Sequence, residues 1–183
     1  MKKHDVRICG LGGQGVIMGG MIIGKAAAIF EDRFATLVQS FGPEARGSEC
    51  SAQVKVSDER IPFPYLRRSD VFVAMSQTAY DKFVGEMSEG ATLVYESDLV
   101  SPDDRLPPGV KKFGIPGTRI AEEDFGRRIV FNMVMLGFFA AVTEVVDPDA
   151  MRKAVADSVP DGTEELNLRA FEHGFAHGEN LRG

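Results

Sequence analysis

A glycine-rich segment near the start of the chain, Gly10-Leu11-Gly12-Gly13-Gln14-Gly15, constrains the fold more than any other feature. The segment Val6–Cys9 before it is typical of a short β-strand, and the mostly apolar run after it continues to about Phe30 at helical spacing. A turn that joins a strand to a helix with so few side chains is typical of a helix packed closely on a sheet. The segment therefore predicts a fold that begins with a βα unit.

The rest of the chain continues this alternation. Further strands are predicted at Ala35–Gln39, Cys50–Val56, Val71–Met75, Thr92–Tyr95 and, as a short edge strand, Lys111–Ile115. Further helices are predicted at Thr78–Met87, Arg119–Glu123, Arg127–Val146, Pro148–Ser158 and Thr163–His177. Because Cys50–Val56 follows the second strand too closely for a helical crossover, we expect it to be antiparallel. The pattern predicts one Rossmann-like α/β domain over residues 1–183, with a mostly parallel sheet, one antiparallel strand and helices on both faces.

Composition excludes several classes of protein. The 183 residues, 44% of them hydrophobic and 26% charged, are typical of a globular domain rather than a disordered, collagen-like or coiled-coil chain. The net charge of −6 argues against nucleic-acid binding, because phosphate neutralisation requires a surplus of Lys and Arg. Cys9 and Cys50 offer no C-x-x-C spacing for zinc or an iron–sulfur cluster, and we expect both to be buried as small apolar side chains.

The N-terminus and the apolar runs predict a cytoplasmic protein. Lys2 and Lys3 followed by apolar residues superficially resemble a secretory signal, but Asp5 and Arg7 lie where its apolar core would begin. The longest apolar run, Ile129–Val142, is too short to span a bilayer.

Two predicted helices are apolar nearly all round. Lys25 is the only charged residue from Gly15 to Phe30, and no charge occurs from Ile129 through Thr143. Such helices must be covered on every side. Part of this surface is therefore expected to form a subunit interface, unless the two helices cover each other or later helices cover them.

The first glycine segment satisfies the G-x-G-x-x-G pattern in the strand-to-helix context that the pattern requires. Its backbone N–H groups, with Gly12, Gly13 and Gly15 as the expected donors, lie at a helix N-terminus, where the helix dipole favours an anion. A dinucleotide site also needs an acidic residue at the end of the second strand, where this chain has Gln39 and Ser40, so that alternative is disfavoured. Tight helix packing alone remains a second alternative.

A second segment, Ser40-Phe41-Gly42-Pro43-Glu44-Ala45-Arg46-Gly47, begins at the carboxyl end of the second predicted strand. Ligands of open α/β sheets bind at that edge. Arg46 is expected to contact a phosphate or carboxylate, or else to pair with Glu44 at the surface. Ser76 and Gln77 end another strand at this edge and would either contact a ligand or cap a helix.

His173 and His177 are spaced as metal ligands on one helix can be, but no third ligand is evident, and no metal site is predicted.

Three segments in this order resemble the gamma subunits of 2-oxoacid:ferredoxin oxidoreductases: Gly10–Gly15, Ser40–Gly47 and Asn132-Met133-Val134-Met135-Leu136-Gly137. The segment Glu165–Phe171 is similar to the C-terminal helix of that family. The resemblance covers nearly the whole chain. This sequence departs from many relatives in having Phe41 and Ser48 in place of a tyrosine and a glycine, which removes a phenol hydroxyl.

The resemblance implies a subunit of an enzyme that decarboxylates a 2-oxoacid on thiamine diphosphate, transfers the acyl group to coenzyme A and reduces ferredoxin through iron–sulfur clusters. This chain has no G-D-G metal–diphosphate motif, and its two cysteines are too few for a cluster that needs four thiolates. Thiamine diphosphate, magnesium and the clusters are therefore expected on partner alpha, beta and, where present, delta subunits. The chain itself would contribute to the coenzyme A site, with 2-oxoglutarate the preferred substrate ahead of pyruvate and branched-chain oxoacids.

The expected cofactor-contacting residues are Gly10, Gly12, Gly13, Gln14, Gly15, Ser40, Phe41, Gly42, Pro43, Glu44, Arg46, Gly47, Ser76, Gln77 and Asn132. Asn132 is expected to be a buried amide that ties its helix to a loop. No catalytic residue is expected in this chain alone. A stand-alone nucleotide-binding or NAD-type regulatory module and a scaffold that contacts no ligand are the alternatives.

Overall fold

A six-stranded sheet forms the centre of the chain. The computed structural model describes residues 2–42 and 47–182. Its strands are β1 (Lys3–Leu11), β2 (Phe34–Phe41), β3 (Glu49–Ser57), β4 (Ser69–Ala74), β5 (Met87–Glu96) and β6 (Lys111–Ile115). They lie in the order β2-β3-β1-β4-β5-β6, and β3 is antiparallel to both of its neighbours while the other pairs are parallel. The predicted antiparallel strand and the predicted edge strand at Lys111–Ile115 are both confirmed.

Within residues 2–42 and 47–182, six α-helices connect and cover the strands. They are α1 (Val16–Lys25), α2 (Gln77–Phe83), α3 (Gly117–Glu123), α4 (Phe131–Val142), α5 (Pro148–Ala156) and α6 (Glu164–Arg182). A π-helical turn over Ala26–Phe30 continues α1. Asp147 caps α5 by accepting hydrogen bonds from the backbone of Asp149 and Ala150, and Pro148 occupies the first turn, where its missing N–H has no cost.

The helices lie on both faces, as predicted. The core between the sheet and α1, α4, α5 and α6 contains the alternate residues of β3 that face α1, Val54 and Val56 among them. A smaller core on the other face packs Tyr80 of α2 against Phe72 of β4, with ring centroids 6.4 Å apart. The predicted α/β class, with its mostly parallel sheet, is therefore confirmed.

Several predicted boundaries were wrong. The helix predicted over 78–87 ends at Phe83, passes through one 3₁₀ turn and gives way at Met87 to β5, which is longer than the predicted strand. The helix predicted over 127–146 is limited to Phe131–Val142, while the last helix extends to Arg182. Local propensity does not determine where such helices and strands end, because the apolar residues at the boundaries fit either type of element.

Helix α4 is covered within the chain. Every residue from Phe131 to Val142 is buried, and α6 crosses α4 where Gly137 meets the backbone of Phe171. The expectation that α4 presents a subunit interface was therefore wrong, because a later helix covers it. On α1 and the turn after it, Met21 and Ile29 remain exposed, so an interface on that helix stays a prediction.

None of the helices within the described residues is long and apolar enough to cross a membrane.

Candidate functional site

The carboxyl ends of three strands place the predicted segments at one edge of the sheet. Phe41 at the end of β2 pairs with Cys50 of β3, which pairs in turn with Gly10 of β1. Strand β4 runs parallel to β1, and the backbone N–H of Met75, just beyond β4, donates to the carbonyl of Cys9 at 2.8 Å. The glycine segment, the second segment and Ser76 therefore leave the sheet at the same edge, as the sequence predicted.

Two glycines shape the turn between β1 and α1. Gly13 has a φ of 98° and Gly15, which precedes α1, a φ of 74°, conformations that other residues adopt only under strain. Gly15 also lies against Asn132, the second residue of α4: a Cβ on Gly15 would be 2.7 Å from Asn132 Cγ. Asn132 is 5% exposed, so its buried amide does adjoin the glycine loop.

The side chain of Gln14 braces the same turn. Its Oε1 accepts a hydrogen bond from the backbone N–H of Leu11 at 2.7 Å, and its Nε2 donates to the carbonyl of Met75 at 2.9 Å. Gln14 Oε1 also occupies the space that a side chain on Gly10 would need, 2.5 Å from the position of a Cβ. Gln14 therefore joins the ends of β1 and β4, and this positioning role was not predicted.

Backbone hydrogen bonds join the two segments. The N–H of Gly12 donates to the carbonyl of Ser48 at 2.8 Å, and the N–H of Gly47 donates to the carbonyl of Gly12 at 3.4 Å. Across the second segment, the N–H of Gly42 donates to the carbonyl of Glu49 at 2.9 Å. The expectation that Gly12 offers its N–H to an anion was therefore wrong, because that donor is used to hold the two loops together.

A pocket of about 540 Å³ lies between the two loops and the first turn of α1. Its lining comprises Leu11, Gly12, Gly13, Gly15, Val16, Ile17, Met18, Phe41, Gly42, Ser48, Glu49 and Cys50. The volume is in the range of small-molecule sites, and the lining combines backbone polar groups with apolar side chains. Pro43, Glu44, Ala45 and Arg46 lie outside the described residues.

A smaller pocket of about 340 Å³ shares the second loop and opens on the other side of it. Ser40 lines it together with Lys82 and Phe83 of α2. The ammonium of Lys82 forms an ion pair with the carboxylate of Glu49, and both side chains are partly exposed. Neither Lys82 nor Glu49 was predicted from the sequence, because only the packing of α2 against β3 brings them to the loop.

Ser76 caps α2, and Gln77, the first residue of that helix, bonds to residues nearby. Ser76 Oγ accepts from the N–H of Ala79 at 3.3 Å, and Gln77 Oε1 accepts from the N–H of Ser101 at 2.8 Å while its amide donates to Asp81. Of the two roles that the sequence left open, the helix cap is therefore the one observed. Neither residue lines either pocket at the glycine loops, and a cofactor contact stays a prediction for both.

The two cysteines are buried free thiols. Cys9 is fully buried and Cys50 is 9% exposed, and neither forms a disulfide. Burial raises the pKa of both thiols, which disfavours the thiolate that a metal or an electrophile would need. The prediction that both are small buried residues is confirmed.

The two histidines of α6 have neighbours within the chain. His173 Nε2 lies 3.2 Å from Asp124, and the ring of His177 packs edge-on against Phe138. Burial lowers the pKa of His177.

The sheet order also bears on the dinucleotide alternative. In a dinucleotide-binding fold, the second parallel strand lies beside the first, and the acidic residue at its end reaches the ribose. Here β3 separates β2 from β1, and β2 ends in Gln39, Ser40 and Phe41. The arrangement therefore lacks the acidic side chain that this mode of binding requires at the end of β2.

The fold and the two-loop pocket define an α/β protein with a candidate ligand site at the carboxyl edge of its sheet. The family model "Pyruvate ferredoxin/flavodoxin oxidoreductase" matches residues 5–177. A 2-oxoglutarate synthase subunit KorC of Methanocaldococcus jannaschii is 44% identical over 98% of this chain and 96% of its own length. The chain belongs to the pyruvate ferredoxin/flavodoxin oxidoreductase family.

Solved structures agree with this assignment. A keto/oxoacid ferredoxin oxidoreductase gamma subunit from Geobacter sulfurreducens has a TM-score of 0.83 and 38% identity, over 98% of this chain and 99% of that one. A 2-oxoglutarate:ferredoxin oxidoreductase from Magnetococcus marinus, with 2-oxoglutarate, coenzyme A and succinyl-CoA bound, has a TM-score of 0.88 and 26% identity, over 99% of this chain and 32% of that one. The predicted resemblance to gamma subunits of 2-oxoacid:ferredoxin oxidoreductases is confirmed, and the chain is a subunit of such an oxidoreductase.

Proposed function

We propose that this chain forms part of the coenzyme A site of a 2-oxoglutarate:ferredoxin oxidoreductase and carries no redox centre itself. The observation that supports this most directly is the pocket of about 540 Å³ shared by the two glycine loops. Three 2-oxoglutarate synthase subunits are 41–44% identical to this chain, whereas a pyruvate synthase subunit that also matches over nearly its whole length is 32% identical, which favours 2-oxoglutarate over pyruvate. Both 2-oxoglutarate as the substrate of the enzyme and coenzyme A as the ligand of this chain are part of the proposal.

The residues of the pocket fit the two halves of coenzyme A. Gly13, exposed and with open space around its Cα, lets a phosphate approach the backbone at the N-terminus of α1, where the helix dipole favours negative charge. Ile17, Met18 and Phe41 give the pocket an apolar wall suited to a pantetheine chain. Arg46 is proposed to contact a phosphate from the second loop, and Gly47 connects that loop to Gly12.

The chain's own part in the reaction is to bind coenzyme A and to orient it. Coenzyme A supplies the thiol that accepts the acyl group. With Gln14 and the Gly12–Ser48 hydrogen bond holding the loops in place, the ligand would be positioned at low entropic cost. Among the described residues, no three His, Cys, Asp or Glu side chains are grouped to hold a metal ion, and the two cysteines of the chain are too few for a cluster. Thiamine diphosphate, magnesium and the iron–sulfur clusters are therefore assigned to partner alpha, beta and, where present, delta subunits, with ferredoxin as the acceptor.

Steady-state kinetics of the assembled enzyme test this proposal. We expect Arg46→Ala to raise the KM for coenzyme A by about tenfold or more, the effect of losing one charge-assisted hydrogen bond, and to leave the KM for the oxoacid unchanged. Lys112→Ala, at an exposed position of β6 at the far edge of the sheet, is the matched control and should change neither constant. An unchanged KM for coenzyme A in Arg46→Ala would favour a scaffold that contacts no ligand.

Two further measurements separate the remaining parts of the proposal. Comparison of kcat/KM for 2-oxoglutarate, pyruvate and a branched-chain oxoacid tests the substrate, and the highest value is expected for 2-oxoglutarate. Purification of the native complex tests the assembly. Recovery of this chain without any thiamine- or cluster-bearing partner would contradict the assignment of those groups to partner subunits.

A further inference from the structure

A second cleft lies on the opposite face of the sheet from α1, away from the glycine loops. It has a volume of about 770 Å³ and forms where the chain between β3 and β4 folds back over the sheet. Basic side chains predominate in its lining: Lys3, Lys55, Arg60, Arg67 and Arg68, against Asp5, Glu59 and Asp70. In a chain of net charge −6, this is a local excess of positive charge.

The floor of the cleft contains a buried ammonium group. Lys55 is 7% exposed, and it faces away from Val54 and Val56 because successive residues of β3 point to opposite faces. Its Nζ donates to the carbonyl oxygen of Phe63 at 3.0 Å. In the described part of the chain, no carboxylate oxygen lies within 4.0 Å of this ammonium. A buried charge without an opposite charge in contact is costly, and an anion in the cleft would reduce that cost.

Asp5 is a weak counter-ion for Lys55. It lies opposite Lys55 in the pairing of β1 with β3, but it forms no ion pair with it, and its Oδ1 is buried without a hydrogen-bond donor. Burial raises the pKa of Asp5, and the nearby charge of Lys55 lowers it in part, so the two groups interact without forming a contact ion pair. The positive charge of Lys55 is therefore only partly compensated within the chain.

Two aromatic side chains line the cleft beside this charge. Phe63 and Tyr65 are 54% and 52% exposed, and their ring centroids are 5.4 Å apart with the planes tilted by 50°. Gln53 Oε1 accepts from the N–H of Leu66 at 2.8 Å, which holds this segment on the sheet. The rings are thus presented to solvent by an anchored segment, next to Arg60 and Arg67, whose side chains are also exposed.

We propose that this cleft is a second ligand site, for a small phosphorylated molecule that carries an aromatic or heteroaromatic ring, with a nucleoside monophosphate as the smallest common example. Lys55, Arg60 and Arg67 attract the phosphate, and Phe63 and Tyr65 pack against the ring. A phosphate fits better than a single carboxylate because several cationic side chains line one cleft. The site is independent of the proposed coenzyme A pocket, since the two share no lining residue.

Isothermal titration calorimetry of the full-length chain with AMP tests the proposal. We expect saturable binding of AMP, and binding at least about tenfold weaker for adenosine and for inorganic phosphate, each of which lacks one half of the recognised group. Arg67→Ser and Phe63→Ala change exposed side chains and should each weaken AMP binding by about tenfold without unfolding the chain. Lys112→Ala is the matched control for the loss of one exposed cation and should bind AMP as the unaltered chain does.

A variant in the glycine loop tests whether AMP binds in the cleft or at that loop. Gly13→Ala should leave AMP binding unchanged if AMP occupies the cleft over Lys55. A loss of AMP binding in Gly13→Ala, together with unchanged binding in Phe63→Ala, would instead place the nucleotide at the glycine loop and overturn the proposal. Absence of saturable binding up to about 10 mM AMP would overturn it as well, and so would inorganic phosphate binding as tightly as AMP.

Discussion

Gly15 and the side chain of Asn132 are in direct contact: a Cβ on Gly15 would lie 2.5 Å from Asn132 Nδ2. The contact joins the start of α1 to the start of α4, although the two residues are far apart in the sequence. Position 15 therefore requires a glycine for two reasons. Its φ of 74° is one that other residues adopt only under strain, and Asn132 occupies the space that a side chain would need. The position of α4 and the shape of the glycine loop are therefore coupled.

Gly15→Ala and Gly13→Ala separate the effect of the positive φ from the effect of the Asn132 contact. Both substitutions impose a positive φ on alanine, at a cost of about 1–3 kcal/mol. Gly13 has open space around its Cα, whereas alanine at position 15 must also displace Asn132. We expect the free energy of unfolding, measured by urea denaturation, to fall further in Gly15→Ala than in Gly13→Ala. Equal losses in the two variants would show that the Asn132 contact contributes nothing.

The sequence was sufficient to predict where the two loops meet, because strand direction follows from connection length. The seven residues between Phe41 and Glu49 leave no room for a helical crossover, and the resulting antiparallel β3 brings both loops to one edge. Hydrophobic spacing likewise identified the long apolar helix over 131–142.

The contacts that complete the site depend on tertiary packing, which a single sequence does not reveal. Gln14 bonds to Met75, 61 positions away, and nothing in the G-x-G-x-x-G pattern distinguishes such a brace from a ligand contact. Lys55 occupies a strand position where alternation predicts only a polar face, and it is the segment after β3 that buries it. Helix α6 covers α4 because Gly137 and Gly174 let the two backbones approach closely. Glycine is intrinsically unfavourable in a helix, so helix propensity does not indicate this role.

Gly137→Ala tests the crossing of α4 and α6. Its Cβ would lie 1.8 Å from the carbonyl oxygen of Phe171, so the helices must separate and expose apolar surface. We expect a loss of at least about 3 kcal/mol in the free energy of unfolding, and a large fall in the melting temperature. Gly24→Ala is the matched control, because a Cβ there meets nothing within 4 Å, and it should stabilise α1 by up to about 1 kcal/mol. Equal melting temperatures for the two variants would contradict the close crossing.

Asp103 should make the stability of the chain sensitive to acid. Both carboxylate oxygens accept from Arg105 Nε, at 3.0 and 2.8 Å, and these hydrogen bonds lower the pKa of Asp103 from 3.8 to about 2. Because the folded-state pKa is the lower one, the stabilisation is present above pH 3.8 and is lost as the pH falls to about 2. In Asp103→Asn, we expect the free energy of unfolding to fall less steeply over this interval, as measured by urea denaturation at a series of pH values. A slope equal to that of the unaltered chain would show that Asp103 does not contribute.

Gln14→Leu tests whether the brace between β1 and β4 positions the glycine loop for its ligand. The substitution leaves the N–H of Leu11 and the carbonyl of Met75 without their partner, which should cost about 1–3 kcal/mol of stability. If the brace also orients the loop, the KM for coenzyme A in the assembled enzyme should rise by about tenfold, and kcat should change little. Gln53→Leu removes a comparable side-chain-to-backbone hydrogen bond, to Leu66, on the other side of the sheet. Gln53→Leu should lower the free energy of unfolding similarly and leave the KM for coenzyme A unchanged. If the KM rises only in Gln14→Leu, the cause is a displaced glycine loop rather than a general loss of stability.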